Sequence, residues 1–325
     1  MRRVQTRRAI VCLFAVILSI CLVYGKGGSA QSPNGSPRGN PNDAGRPVII
    51  PLTIRVKERT PHNELELQTV DFTVSEDGEP QTILSIRAMG TNSPISLIVL
   101  IQDDLVSSIG LEIKSLADFI RRLPRGSRVS VGYLRVGSLL VRQKFTADLE
   151  KAAKALRPPL GVAGAAPFNP YVEVIEALKR FDSQPAGRRA ILLISDGLDI
   201  SRGVDSSSAG QSFDLERAIS EAQRRSVAIY AFFAPTVISS TNTMLTANAQ
   251  SSLQRLADET GGRAFFSGFG APTSFDPYIR ELNSTLDRQI ALTYLSTHPK
   301  KGFHRVKITP STPGVEVHYP AGYKR

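Results

Sequence analysis

The chain has 325 residues, 41% of them apolar, enough for one sizeable core and a smaller module. Its two cysteines, Cys12 and Cys21, both fall in the first 30 residues. The remainder therefore has no disulfide framework, thiolate metal site or cysteine nucleophile. The net charge is +11; Arg2, Arg3, Arg7, Arg8 and Lys26 lie in the first 30 residues, which hold no acid, so the rest carries +6. That mild excess is scattered, and with no tryptophan and no basic-aromatic interleaving it excludes a nucleic-acid platform.

The start reads as an export signal. MRRVQTRR is a basic n-region, Ala9 to Tyr24 is a run of 16 uncharged residues, and Gly28-Ser29-Ala30 offers small residues before Gln31. The run is short for a membrane span, which needs ~20 residues. Residues 1–30 are thus expected to be a signal peptide, the chain's one membrane contact, with an uncleaved anchor as the alternative. The protein is expected in the periplasm, in the cell envelope or secreted. Residues 31–46, rich in Gly, Ser, Pro and Asn, read as a disordered tether.

Residues 47–93 read as a β segment. Val48-Ile49-Ile50 and Leu52-Ile54-Val56 give strand runs, and two further runs flank Glu76-Asp77-Gly78-Glu79-Pro80, a hairpin signal. Residues 94–289 then alternate strands and helices. Ile95 to Ile101 is almost wholly apolar, as in a parallel strand buried on both faces. Ile109, Ile113, Leu116, Ile120 and Leu123 predict a helix over 109–123. Strands at 129–133 and 139–145 share a tight turn at Gly137-Ser138. Helices are expected at 147–156 and 171–181, the second with Asn169 as N-cap and Pro170 in its first turn. A strand at 190–194, a helix at 214–225, a strand at 227–233 and a helix around Leu253 to Ala257 follow. A short strand at 264–266 precedes a last helix capped by Asp276-Pro277, with Ile290 on its face. Residues 290–325 return to β and are expected to pair with 47–93. The expected fold class is α/β: an open, doubly wound, mostly parallel sheet with helices on both faces, plus small β segments from the two ends.

In such a sheet, ligands sit beyond the carboxyl ends of the strands. Two strand ends carry polar residues: Gln102-Asp103-Asp104 through Ser107-Ser108, and Ser195-Asp196-Gly197-Leu198-Asp199. The loop Gly164 to Asn169 is expected to arrive beside them. Here the sequence resembles the von Willebrand factor type A (VWA) family, and more closely its acidobacterial VWFA-related branch. The carrying segments are DFTVSEDGEPQTI, PISLIVL, GSRVSVGYLRVGSLLVRQKF, RRAILLISDG, LADETGGRAFF, GFHRVKI and AGYKR. The resemblance implies a divalent cation held by Asp-x-Ser-x-Ser after the first strand, a middle-loop Thr and an Asp in the ISDG segment.

This chain departs from that pattern. In the ungapped frame Gln102 stands for the first Asp, Asp104 for the first Ser and Val106 for the second. Shifted frames give Asp103, Leu105, Ser107 or Asp104, Val106, Ser108, and Ala165-Ala166 replaces the Thr. Only Asp196 is cleanly kept. The resemblance therefore implies a degenerate adhesion site. Asp103, Asp104, Ser107 and Asp196 are its metal candidates, for Mg²⁺ or Ca²⁺. Gln102, Ser108, Asn169 and Asp199 form a partner-binding rim. Without a cation, the crevice is expected to open to water, with Asp103 and Asp104 splayed apart or capping the 109–123 helix beside Ser107 or Ser108. Arg121, Arg122, Arg125 and Arg128 suit a helix C-terminus. His62, His298, His304 and His318 show no ligand spacing, although the last three share the C-terminal β region. No serine triad, Gly-x-Ser-x-Gly elbow or phosphate loop is present.

The expected function is that of an exported, non-enzymatic binding protein whose partner is a protein or an anionic envelope component. A metal-dependent adhesion domain with an Asp-rich site is one alternative. A metal-assisted hydrolase at the same strand ends is the other.

Overall fold

A computed structural model describes residues 45–56, 72–90, 92–311 and 314–325. The signal, most of the tether and His62 lie outside the described residues. So does the segment between the first two strands. No helix among the described residues is long and apolar enough to cross a membrane.

The described strands form two sheets. One has six strands: β4 (Ser96–Gln102), β5 (Arg128–Arg135), β6 (Ser138–Thr146), β7 (Arg189–Ser195), β8 (Ala228–Phe233) and β9 (Ala264–Phe265), in the order β6-β5-β4-β7-β8-β9. All neighbours are parallel except the edge strand β6, which turns back on β5 through Val136-Gly137. Val99 of β4 lies beside Val131 and Leu192.

The near-continuous apolar run of β4 is explained by its two faces. Leu97, Val99 and Ile101 join one core, and Ile98 and Leu100 the other. The first core is closed by α1 (Ile113–Arg121), α2 (Leu149–Lys154) and α7 (Asp276–Asp287), the second by α3 (Pro170–Leu178), α4 (Phe213–Arg224) and α6 (Thr243–Thr260). Helices on both faces make this sheet doubly wound. Caps follow local chemistry: Asp148, Asn169, Ser212 and Asn242 each accept a backbone N–H in the first turn of the next helix. A one-turn helix, α5 (Val237–Ser240), starts from a Thr236–Ser239 capping box.

The second sheet has seven strands and is wholly antiparallel. It contains β1 (Arg46–Val56), β2 (Phe72–Glu76), β3 (Glu79–Ala88), β10 (Gln289–Ser296), β11 (Phe303–Pro310), β12 (Val315–His318) and β13 (Gly322–Lys324). Their order is β12-β1-β10-β3-β2-β11-β13. The doubly wound sheet is mostly parallel, but the β segments expected to be small are not. The two chain ends contribute a sheet larger than the parallel one, with β10 hydrogen-bonded between β1 and β3. It has its own core of Ile50, Phe72, Val74, Ile290, Leu292, Tyr294, Val306 and Ile308. The β2–β3 hairpin turns at Asp77 and Gly78, both with positive φ (51° and 91°), as a two-residue turn that follows the strand twist requires.

Several element boundaries differ from the pattern. Residues 107–112 form a 3-10 turn before α1, so the 109–123 periodicity covers two elements. Residues 179–183 likewise form a 3-10 turn after α3. Asp276 is the first residue of α7, and the position before it is Phe275. Glu112 supplies the acceptor there, taking the Phe275 N–H at 2.7 Å. Ile290 belongs to β10 and is fully buried.

Candidate functional site

The order β6-β5-β4-β7-β8-β9 makes the carboxyl ends of β4 and β7 the point where the winding reverses, which is where open α/β sheets place their crevice. Gln102 ends β4, and its side chain ties the two strand ends together. Its Oε1 accepts the Ser195 hydroxyl and the Asp196 N–H (3.3 Å), while its Nε2 donates to Asp104 Oδ1 at 2.9 Å. A glutamine suits this place because it offers both a donor and an acceptor, which an aspartate does not.

Asp103 is fully buried. Arg157 clamps it in a fork, Nη1 to Oδ1 at 2.7 Å and Nη2 to Oδ2 at 2.8 Å. Arg135 Nε lies 3.2 Å from Oδ2, and the Leu160 N–H reaches Oδ1 at 3.1 Å. The Arg157 guanidinium sits 4.0 Å from the Tyr133 ring centroid. The Tyr133 hydroxyl accepts the Arg157 N–H (2.6 Å) and donates to the Arg157 carbonyl (2.7 Å), which fixes the segment that carries the clamp.

Asp104 and Asp196 are also buried. Asp104 is pushed up to about 6 by burial, against the bond from Gln102 and with the charges of Asp196 and Asp103 adding to the rise. Asp196 is pushed up by burial too, while the Leu198 N–H (3.1 Å to Oδ1) and the Thr236 hydroxyl (2.8 Å to Oδ2) favour its ionised form. Gly197 makes the turn after β7 possible. Its φ is +72°, and a Cβ there would stand 2.5 Å from Leu253.

The expectation of a crevice open to water is therefore corrected, while Asp103 and Asp104 do turn to different partners, Arg157 and Gln102. All three aspartates are buried, and none caps a helix. Arg157 supplies the positive charge beside Asp103. Ser107 and Ser108 sit on the exposed face of the 3-10 turn and make no hydrogen bond to the aspartates. Asn169 caps α3 and donates to Asp214 Oδ2 at 2.8 Å. Asp199 is buried and holds Ser201 and Ser212 by their hydroxyls, each at 2.6 Å. Both residues act as braces of the rim loops.

The residues do not fit the cation that the resemblance implies. A Mg²⁺ or Ca²⁺ site needs several convergent oxygens with free lone pairs. Both oxygens of Asp103 and both of Asp196 already accept hydrogen bonds. Among the described residues, Asp103, Asp104 and Asp196 do not bring their oxygens within 4.8 Å of one another; Glu76, Asp77 and His304 alone form such a group. That second group is closed as well. His304 Nδ1 faces Asp77 Oδ2 and Nε2 faces the Lys300 carbonyl, both at 2.8 Å. Two oxygen acceptors favour hydrogen on both ring nitrogens, so the fold favours the imidazolium form of His304, which has no lone pair for a metal. His298 lies beside it, ring centroids 5.8 Å apart.

Arg157 and Arg135 were not singled out from the sequence, nor were Thr236 and Ser239. The signal for Arg157 was slight: it precedes Pro158-Pro159, where the chain must leave a helix and hold a fixed course. A second feature was also missed. Leu160, Val162, Phe168, Val237 and Met244 are each 48–71% exposed, and all lie on segments following α2 or β8 at this same end of the sheet. Phe168 has φ +55°, a strained backbone for a bulky residue, and its carbonyl is fixed by the Ile200 N–H at 2.8 Å.

No protein-family model matches the chain. No curated protein matches it in sequence. Among solved structures, it is similar to an aerotolerance-related membrane protein from Bacteroides fragilis NCTC 9343 at 12% identity and a TM-score of 0.40, covering 59% of this chain and 98% of that one. It is similar to BatB from Bacteroides thetaiotaomicron at 10% identity and a TM-score of 0.40, covering 59% and 97%. The SpRpn10 VWA domain follows at 12% identity and a TM-score of 0.37, covering 59% and 93%. These likenesses are too distant to bear on the site or a partner.

Proposed function

We propose that this is an exported, non-enzymatic binding module of VWA type that docks a protein partner on the carboxyl-end rim of its parallel sheet, without a divalent cation. The observation that carries this reading is the pairing of two features at one edge. A buried carboxylate is neutralised by Arg157, and the segments at the same end of the sheet carry exposed apolar side chains, Phe168 and Met244 among them. Exposed apolar groups concentrated at one edge are what a protein interface uses, whereas an envelope polysaccharide offers little for them to bury against. The strained backbone at Phe168 adds support, because such strain persists where a surface has a task. Export rests on the first 30 residues of the sequence.

The test is capture from a native envelope extract, in the presence of EDTA. The parent protein and Leu84→Ser, an exposed change on β3, should retain the same partner. Phe168→Ser and Met244→Ser should lose it. Equal retention by all four proteins, or loss of the partner in EDTA, would contradict the reading. Mass spectrometry of the native protein should find a first residue near Gln31.

A further inference from the structure

A cavity lies at the opposite end of the parallel sheet from the rim. It is a cleft of about 550 Å³ between the amino ends of β7 and β8 and the face of the antiparallel sheet. That volume falls in the range that holds small organic ligands. Its walls are unevenly charged. Arg87, Arg188, Arg189, Arg224 and Arg225 line it, with Asp182 as the one acid. Asp182 is already held by Arg225, Nε at 2.9 Å and Nη2 at 3.1 Å, and Arg224 is paired with Glu221. Arg87, Arg188 and Arg189 have no carboxylate partner among the described residues.

Arg188 and Arg189 are half-buried and bound only to neutral oxygens. Arg188 donates from Nε to Gln289 Oε1 at 2.6 Å, from Nη1 to the Ser93 carbonyl at 3.3 Å, and from Nη2 to the Leu286 carbonyl. Arg189 donates to the carbonyls of Gln184 (2.7 Å), Pro185 and Arg225. Carbonyls fix a guanidinium in place but do not neutralise it, and a guanidinium has five N–H donors. Burial pushes both arginines below their ordinary values, and the more distant charges of Asp287 and Asp182 offset it only in part. Apart from Ser226 and Gln289, the rest of the wall is apolar, with Ile49, 58% exposed, Met89 and Ile95 among it.

We propose that this cleft binds a small organic oxyanion, a carboxylate or phosphate monoester, that carries an apolar body. The oxyanion meets the guanidinium groups of Arg188 and Arg189 with Arg87 at the entrance, and the apolar part covers Ile49 and Met89. Arginine suits both oxyanions because its planar fork matches their oxygens. This site is separate from the rim, so its failure would leave the docking proposal standing.

The probes are octanoate, octyl phosphate, inorganic phosphate and octyltrimethylammonium, titrated calorimetrically into the full mature chain at low ionic strength. Octanoate and octyl phosphate should each bind once per chain. Inorganic phosphate should bind at least tenfold more weakly than octyl phosphate, and the cation not at all. Arg87→Glu, an exposed change, and Ala186→Trp, which fills the cleft, should each weaken octyl phosphate at least tenfold. Arg189→Gln gives a third reading if it folds. Equal binding of the octyl cation, unchanged affinity in Arg87→Glu and Ala186→Trp, or no binding of either octyl anion at millimolar concentration would overturn the proposal.

Discussion

Replacing Arg157 by Ala removes the group that stands in for a cation at the strand ends. Asp103, with no exposed side-chain surface, would lose two short bonds of 2.7 and 2.8 Å and keep only Arg135 at 3.2 Å and the Leu160 N–H. Breaking a buried ion pair from one side costs about 3–5 kcal/mol, since the remaining charge is buried without compensation. Arg135, 41% exposed, is free to move closer, so the lower end of that range, about 3 kcal/mol, is the figure to expect. Loss of the guanidinium from the Tyr133 face adds about 0.5–1 kcal/mol. The Tyr133 bonds to the Arg157 backbone survive in the variant. The assay is urea unfolding at neutral pH, with the slope checked for constancy. Adding Asp103→Asn to Arg157→Ala should recover at least half of the loss, because it removes the stranded charge. A loss below about 1 kcal/mol, or full recovery of Arg157→Ala on adding Mg²⁺, would refute the reasoning.

Three further outcomes follow from buried titratable groups. Asp104 holds its proton up to about pH 6 in the fold against 3.8 in its ordinary state, so stability falls as pH rises through that window. Asp104→Asn keeps the acceptor for Gln102 and should gain up to about 3 kcal/mol at pH 7.5 and nothing at pH 3.5, read by unfolding at both values. Glu173, buried on α3 with neither oxygen bonded, is raised to about 7 by burial. Glu173→Gln should therefore stabilise by up to about 3 kcal/mol at pH 8 and change little at pH 4. For His304, burial opposes the charge but the Lys300 carbonyl and the carboxylates of Asp77 and Glu76 outweigh it, so its folded value is raised. Its contribution is full below the ordinary value of 6.5 and is lost as pH rises through the folded value; melting curves should show a fall in that direction that His304→Phe abolishes.

The parallel sheet was legible because its physics is local. Ile95 to Ile101 announces a strand covered on both faces, and Asn169-Pro170 announces a helix start, since each follows from side chains acting on their own backbone. The antiparallel sheet was underread because pairing is not local. Nothing in β10 itself says that it inserts between β1 and β3, more than 200 residues earlier in the chain. The last helix was extended through Ile290 because the apolar spacing carried on past Arg288, although the chain changes period there from 3.6 to 2. At the candidate site the sequence located Asp103, Asp104 and Asp196 on one rim, but misjudged their surroundings. Counting carboxylates near strand ends shows repulsion and suggests water. It does not show that Arg157, 54 residues along from Asp103, returns to neutralise one of them, or that Thr236 closes over another. The exposed Phe168 and Met244 were equally hidden, because an apolar residue in a loop or at a helix start reads the same whether it packs inward or outward.

The most direct measurement is a cation titration of the chelator-treated protein, following its melting transition with Mg²⁺, Ca²⁺ and Mn²⁺. With Arg157 in the place of a metal, none of the three should move the transition, and calorimetry should record no binding that depends on Asp103 or Asp196. A cation present at about 100 times its dissociation constant would instead add about 2.7 kcal/mol to the folded state. For a domain of this size that is a rise of roughly 5–10 °C. Such a rise, lost in Asp103→Asn and Asp196→Asn, would contradict the claim that this rim is held together without a metal.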